Sequence, residues 1–212
     1  MTTLYLIRHG ESEANRADAF LGHGDLPLTD TGCAQGRAAA NHLQHVGAHA
    51  IYASDLMRAR QTAQFTADLL GLPVTQDQRL REIHAGAWEF QRFDDIITND
   101  DGAFACWVKD FGHAVCPGGE SVLQLQSRFV SALRDIASRH DGQTVLIFTH
   151  ATPVRVAAAH CLGKSPDTMG EVPWAGNTSV TRISVEDGAF TLEEYGFNDF
   201  LGDLITVLPP NV

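Results

Sequence analysis

The sequence has no long apolar run. No stretch of its 212 residues is long and apolar enough to span a bilayer as a helix. It also lacks an excess of positive charge. Fifteen Lys and Arg against 26 Asp and Glu give a net charge of −11. That balance argues against general nucleic-acid binding, because a phosphate backbone needs a basic face. It argues equally against docking on an anionic membrane. A small anionic ligand stays open, since a local arginine cluster overrides a global field. The four cysteines, Cys33, Cys106, Cys116 and Cys161, are scattered and contain no C-x-x-C pair. Free thiols in a reducing cytosol are the expectation, and a zinc site would need tighter grouping. Internal repeats and low-complexity segments are absent. Met1-Thr2-Thr3 runs straight into strand-like sequence, so no signal peptide and a cytoplasmic location are expected.

The length suits one domain over 1–212, with at most a lid on its core. Thr3 to Ile7 is a short run of β-formers and reads as a buried strand. Asp30 to Val46 reads as a helix with Ala39, Leu43 and Val46 on one face. Ala50 to Ala53 is a second short strand. In Asp55 to Leu70, apolar residues Leu56, Ala59, Ala63, Ala67 and Leu70 recur at helical spacing until Gly71 and Pro73 stop them. Val74 to Gln76 is a candidate third strand. Residues 82 to 116 are the least regular. They mix Asp94, Asp95, Asp100 and Asp101 with Trp88, Phe90, Phe93, Phe104, Trp107 and Phe111, and suggest a partly helical lid-like insertion over about 83–116. Packing of those aromatics on the core and a role as substrate wall are equally open. After Pro117-Gly118-Gly119, Val122, Leu125, Phe129, Leu133 and Ile136 form one helical stripe. Thr144 to Thr149 is a buried strand. Thr152 as N-cap and Pro153 at the first position predict a helix to about Leu162. Ser179 to Val185 and Phe190 to Tyr195 predict a terminal hairpin around Asp187-Gly188. Its exposed edge leaves pairing in a homodimer open.

Strands alternating with helices predict a three-layer α/β/α fold with a mostly parallel central sheet and a C-terminal hairpin. In such sheets ligands bind beyond the carboxyl ends of the strands. Arg8-His9-Gly10 directly follows the first strand, and His150 directly follows the strand at 144–149. Both histidines therefore fall at the same sheet edge. Gly10 permits a tight turn and close backbone approach. The helix opening after His150 offers free N–H groups and a positive dipole end. Arg58 lies in the first turn of the helix after the second strand and is aimed at the same rim. Its planar fork suits two phosphate oxygens at once. Arg60 beside it reads as a surface or salt-bridge residue. His42, His45 and His49 lie near one helix face and read as a solvated face rather than a metal site.

The ordered set of motifs resembles the histidine phosphatase superfamily, the group that includes cofactor-dependent phosphoglycerate mutases. The residues that carry the likeness are Arg8-His9-Gly10-Glu11-Ser12-Glu13-Ala14-Asn15; Gly22, Asp25, Pro27, Leu28, Thr29, Gly32 and Gln35; and Ser54 through Ala63. They continue with Leu80-Arg81-Glu82, Gly86-Ala87-Trp88-Glu89, Pro117-Gly118-Gly119-Glu120-Ser121 and Thr149-His150-Ala151. R-H-G alone is weak; the ordered set is specific and spans most of the chain.

The resemblance implies roles by position. His9 would attack phosphorus and become a phosphohistidine. Arg8, Arg58 and His150 would hold the phosphoryl oxygens, and Asn15 would assist. Gly22 and Ala151 would face the substrate. Glu82 would be the general acid; Glu89 is a competing carboxylate in the same stretch, and His84 stands between the pocket border and solvent. No metal and no cofactor are implied. The chemistry is sensible, since a neutral imidazole is a good nucleophile near neutral pH and phosphoryl transfer needs mainly positioning and charge neutralisation. Glu82 must carry a proton to act as an acid, which calls for partial burial.

Departures from the family pattern narrow the branch. Leu21 stands where the mutases typically have Ser or Thr. Their extra lysine and paired arginines have no counterpart after Glu82. A mutase must re-dock a bisphosphorylated intermediate and needs those cations. The comparison points to the broad-specificity and α-ribazole phosphatase branch and to small-molecule phosphate esters as substrates. A phosphoglycerate mutase is one alternative, and a non-catalytic phospho-ligand-binding regulatory protein is another. Ala151 replaces a common glycine after the second histidine. Phe90 replaces one after Trp88-Glu89 and is expected to add bulk at the pocket mouth.

Overall fold

Alternation of side chains along two strands explains how the molecule is layered. In the computed structural model, which describes residues 1–99 and 102–207, strand β1 is Thr2–Arg8. Leu4 and Leu6 point to one face and Ile7 to the other. Asp100 and Asp101 lie outside the described residues. Helix α1 (Glu13–Arg16) and the short strand β2 (Ala19–Phe20) follow. Next come α2 (Asp30–Leu43), β3 (Ala50–Ala53), α3 (Met57–Leu70) and β4 (Val74–Gln76). The irregular stretch then contains β5 (Gln91–Arg92), α4 (Phe93–Thr98) and α5 (Ala103–Lys109), with single 3₁₀ turns at Gln78–Leu80, Gly86–Trp88 and Phe111–His113. The chain continues through α6 (Val122–Arg139), β6 (Thr144–Thr149), α7 (Ala151–Cys161) and α8 (Pro166–Met169). It ends in the hairpin β7 (Val180–Glu186) and β8 (Ala189–Phe197) and a last 3₁₀ segment, Asp199–Leu204.

The sheet order is β4-β3-β6-β1-β7-β8. The first four strands are mutually parallel, and β7 and β8 are antiparallel. β2 and β5 form a separate two-stranded ribbon. Val145 and Ile147 of β6 join Leu4 and Leu6 against Phe129, Leu133 and Ile136 of α6 and Val154 and Ala157 of α7. Leu146 and Phe148 turn the other way, against Ala39 and Leu43 of α2 and Ala63 and Ala67 of α3. This is the expected three-layer arrangement, set by the period of two along a strand. Each fully buried large side chain in it stabilises the fold by about 1.5–3 kcal/mol relative to exposure.

A third apolar cluster holds much of the irregular stretch. Trp88, Phe104, Trp107 and Phe111 pack with Phe20 against Val122 and Leu125 of α6 and Val156 of α7. Most of the aromatics between 88 and 111 are thus core. The acidic composition hides this because the apolar positions follow no single period through two short helices and two turns.

Three boundaries differ from the sequence expectation. α2 ends at Leu43, three residues before Val46. α3 starts at Met57, because Asp55 turns its carboxylate to Arg81 (2.6 Å to Nε) instead of entering the helix. α7 starts two residues early: His150 is the N-cap and Ala151 the first helical residue, so Pro153 is third rather than first. Proline is tolerated there because the first four N–H groups of a helix have no intrahelical partner.

Candidate active site

β1 and β6 are adjacent and parallel with Arg8 opposite Thr149, so the residues that follow them, His9 and His150, leave the sheet side by side. Their rings meet edge to face with centroids 5.2 Å apart. β3 pairs with β6 on the other side and delivers Ser54, and one turn later Arg58, to the same edge. Gly10 makes the tight exit possible: a Cβ there would sit 2.5 Å from the carbonyl oxygen of Gly32. That contact locks the loop after β1 against the start of α2.

His9 is 4% exposed. Its Nδ1 lies 2.6 Å from the carbonyl oxygen of Gly10. Its Nε2 lies 3.2 Å from Nε of Arg58. A carbonyl only accepts and a guanidinium only donates, so Nδ1 carries the proton and Nε2 the lone pair. Burial, then the Arg58 and Arg8 charges, hold the His9 pKa well below its ordinary value. The imidazole is therefore neutral, with its lone pair on Nε2.

Arg58 is buried and tied down at three points. Besides His9 it donates Nη1 to the Gly24 carbonyl (2.9 Å) and Nη2 to the Gly22 carbonyl (2.9 Å). Gly22 has a φ of +54°, and a Cβ there would meet Cβ of Ala85 at 2.6 Å, so glycine is required for this turn. Arg8 donates Nη1 to the Ala175 carbonyl at 2.6 Å, while its buried Nε has no partner. Burial pushes both guanidinium pKa values down to about 10, and they remain charged near neutrality. Desolvated cations with an unused N–H are ready for an anion.

His150 is fully buried. Ser54 Oγ lies 2.9 Å from its Nε2, and Nδ1 has no partner. Burial, followed by Arg58 and His9, lowers its pKa well below the ordinary value. Asn15 is held through its amide oxygen. Its Oδ1 accepts from Ser12 N–H (3.0 Å), Ser12 Oγ (3.0 Å) and Asn177 Nδ2 (3.3 Å). These bonds fix the orientation of the Asn15 side chain, which lines the cavity.

Glu82 is pinned by its own backbone. Arg128 of α6 donates to the carbonyls of Arg79 (2.8 Å), Arg81 (3.0 Å) and Glu82 (3.1 Å), and Thr149 Oγ1 holds the Leu80 carbonyl at 2.7 Å. The carboxylate is buried, with Oε1 accepting from Ile83 N–H (2.8 Å) and Oε2 from Thr152 N–H in the first turn of α7 (3.4 Å). Glu89 instead accepts from His23 N–H at 3.0 Å and sits 3.7 Å from Nε2 of the part-exposed His84.

These groups surround one cavity of about 620 Å³, open mouth included. Arg8, His9, Asn15, Gly22, Arg58, Glu82 and Ala151 all line it. His150 stands directly behind, against the His9 ring. Glu89 and His84 are not among the lining residues, so of the two carboxylates Glu82 is the one that borders the cavity. Phe90 is not among them either. It is 57% exposed, and its ring tip lies 2.6 Å from where a Cβ on Gly24 would be, so the expected bulk at the mouth is packed aside. Arg60 makes no ion pair among the described residues. His42 stacks on Phe200 at 4.4 Å, and His49 Nδ1 accepts from Thr144 N–H at 3.2 Å.

Sequence reasoning missed Trp174, Phe20 and Thr152, which also line the cavity, and Arg128 and Asn177, which position it. Trp174 carried no signal in the sequence and is placed only by the fold. β7 runs antiparallel to β1 with Val180 opposite Ile7, so the loop before β7 has to arrive at the active edge.

Residues 4–198 match the family model described as histidine phosphatase superfamily, branch 1. The chain is 33% identical to a probable phosphoglycerate mutase GpmB of Enterobacter sp., covering 88% of this chain and 86% of that one. It is 31% identical to an adenosylcobalamin/alpha-ribazole phosphatase of Salmonella typhimurium, covering 75% and 79% respectively. Among solved structures it resembles YhfR of Bacillus stearothermophilus, with a TM-score of 0.91, 35% identity, and coverage of 95% of this chain and all of that one. With a neutral buried histidine, buried arginines and a matching fold together, the chain belongs to branch 1 of the histidine phosphatase superfamily and is an enzyme.

Proposed function

We propose that this enzyme is a metal-independent phosphatase of small-molecule phosphomonoesters that works through phosphohistidine at His9. The observation that carries this reading is the tautomer of His9. A phosphoryl oxygen offers the Arg58 guanidinium a stronger acceptor than imidazole does. Transfer of that hydrogen bond frees the Nε2 lone pair. Nε2 then bonds to phosphorus as the ester P–O bond breaks, and Glu82 donates its proton to the leaving oxygen. The positive charge gained by the ring is stabilised where Nδ1–H meets the Gly10 carbonyl. Arg8, Arg58 and the Nδ1 side of His150 neutralise the oxygens in transfer, with Asn15 and the first N–H groups of α7 around them. Water next attacks phosphorus while Glu82 takes its proton, the N–P bond breaks, and inorganic phosphate leaves.

A mutase reading is supported by the name of the Enterobacter relative. Against it, Arg8 and Arg58 are the only cationic side chains among the described residues that line the cavity. Both belong to the phosphate end, so a second phosphate or a carboxylate has no cation of its own.

The test is phosphate release from a panel of phosphomonoesters in EDTA, for wild type and His9→Ala. The panel includes 3-phosphoglycerate with and without 2,3-bisphosphoglycerate, and 2-phosphoglycerate is assayed as a product. Release should survive EDTA and fall at least about 10³-fold in a folded His9→Ala variant. An unchanged rate in the variant would remove His9 from the mechanism. Formation of 2-phosphoglycerate without phosphate release would replace the phosphatase by a mutase.

A further inference from the structure

The loop 21–24 joins two regions of the cavity. It leaves Phe20, which forms an aromatic wall with Phe93, Trp107 and Trp174, and reaches the phosphate end. It is a tight turn: Gly24 N–H donates to the Leu21 carbonyl at 2.8 Å, and Gly22 takes the positive φ. The Gly22 and Gly24 carbonyls are the two that hold the Arg58 guanidinium. Between them stands His23, which is bonded elsewhere. Its backbone N–H donates to Oε1 of Glu89 (3.0 Å), and its ring Nε2 lies 2.9 Å from the Glu82 carbonyl oxygen. A carbonyl only accepts, so Nε2 carries a proton. Burial lowers the His23 pKa; the Glu82 carbonyl opposes the shift, and His84, Arg128 and Arg81 add to it. The ring therefore donates as a neutral group near pH 7.

Of the two parts that His23 joins, the Glu82 segment is the anchored one. Arg128 and Thr149 already grip its carbonyls at Arg79, Leu80, Arg81 and Glu82, and Glu120 accepts from His84 N–H at 3.0 Å. Among the described residues, the hydrogen bonds that leave loop 21–24 are only those to Arg58, Glu82 and Glu89. Resting on the phosphatase reading above, we propose that His23 is a positioning residue: its Nε2–H docks loop 21–24 on the Glu82 carbonyl and so, through the Gly22 and Gly24 carbonyls, aims Arg58 at the phosphoryl oxygens in transfer. His23 does not line the cavity and acts only through Arg58. Without its bond the two carbonyls move with the loop, and the guanidinium that spans them loses its fixed direction. The loss is greatest in the transition state, where donors must already point to where charge develops.

The test uses two probes of the phosphate end. Inorganic phosphate stands for the ground state, and orthovanadate takes the five-coordinate geometry of transfer when a nucleophile binds it. The calorimetric Kd of each, and kcat/KM for p-nitrophenyl phosphate, are measured for wild type, His23→Leu, His23→Asn and His23→Gln. Leucine keeps bulk without a donor. The asparagine amide nitrogen falls at the place of Nδ1, and that of glutamine at the place of Nε2. In the Leu and Asn variants the vanadate Kd should rise about tenfold and the phosphate Kd about twofold or less. The loss in kcat/KM should follow vanadate, and His23→Gln should return to within about threefold of wild type on both readouts. Equal rises for the two probes would make His23 a general support of the pocket and overturn the proposal. An unchanged vanadate Kd, or a Gln variant as weak as Asn, overturns the role of the Nε2–H. Should His23→Leu fail to fold, the Asn and Gln pair decides the same point. Hydrolysis and vanadate binding unchanged in all variants sink the role of His23 and leave the phosphatase reading standing. The expected vanadate pattern in a protein that hydrolyses no ester keeps this inference and sinks the phosphatase reading instead.

Discussion

At the phosphate end of the cavity, Arg8, His9 and His150 stand directly beyond the ends of β1 and β6, and Arg58 one turn into the helix after β3. Along the aromatic wall, Phe20 comes from a two-residue strand, Phe93 and Trp107 from helices of six and seven residues, and Trp174 from a loop. The first half takes its geometry from sheet register, which cannot shift by one residue without inverting every buried side chain. The second half takes its geometry from side chains packing on one another. On the proposed phosphatase reading, reaction type belongs to the sheet edge, and choice of ester to the short elements. Substitutions at the edge should change whether phosphate is transferred; substitutions in the wall should change from what.

The largest effect that separates the halves is expected at Glu82, which touches both the phosphate end and the leaving group. Glu82→Gln keeps the shape and the acceptor for Ile83 N–H but removes the proton donor. Esters of alkyl alcohols should slow by about 10²–10³-fold, and p-nitrophenyl phosphate by far less, because its leaving oxygen needs no proton. The ratio of the two kcat/KM losses checks this. Equal losses would make Glu82 a structural carboxylate and move the acid elsewhere.

A second difference is electrostatic. The phosphate end buries two histidines whose pKa values lie well below the ordinary value, chiefly through desolvation. Above about pH 6.5 each is neutral both folded and unfolded, and their stability contribution is complete. As pH falls below that value the unfolded chain takes up protons that the folded one refuses, so stability is lost toward the folded pKa values. Each histidine adds a slope of up to about 1.4 kcal/mol per pH unit. Urea melts between pH 7 and 5 should therefore show a shallower decline in His9→Ala than in wild type. Parallel curves would mean that His9 takes up a proton in the fold, and the neutral nucleophile would fall with it. The aromatic wall has no such signature, since none of its lining side chains titrates in this range.

The same contrast decides what was legible in the sequence. The strands at 3–7, 50–53 and 144–149 are short runs of buried β-formers, and His9, Arg58 and His150 follow them at fixed spacing, so the site could be placed before any coordinates. Glu82 and Glu89 could not be separated, because the choice depends on Arg128, 46 residues away, gripping three carbonyls. The start of α7 differs from the sequence reading by two residues because proline at the first and third helical positions satisfies the same backbone rule. Trp174 stayed hidden because its place depends on β7 pairing antiparallel with β1, a choice that the alternation of strands and helices does not reveal.

The smallest effect is expected at Phe90, and it tests where the wall stops. Phe90 has a φ of +64°, a left-handed conformation that costs an L-residue roughly 1–2 kcal/mol. Phe90→Gly relieves this strain but raises the entropy of the unfolded chain by about 0.5–1 kcal/mol, so the two nearly offset. What remains is the lost cover of the ring over Gly24, worth about 1 kcal/mol for a side chain this exposed. Stability in urea should fall by about that much or less. Activity should behave differently from any wall substitution: Phe90 does not line the cavity, so kcat/KM should be unchanged for benzyl, glycerol and bulky naphthylmethyl phosphates alike. A gain confined to the bulky ester would place Phe90 at the rim after all, and the wall would then extend from Phe20 of β2 to the residue that precedes β5.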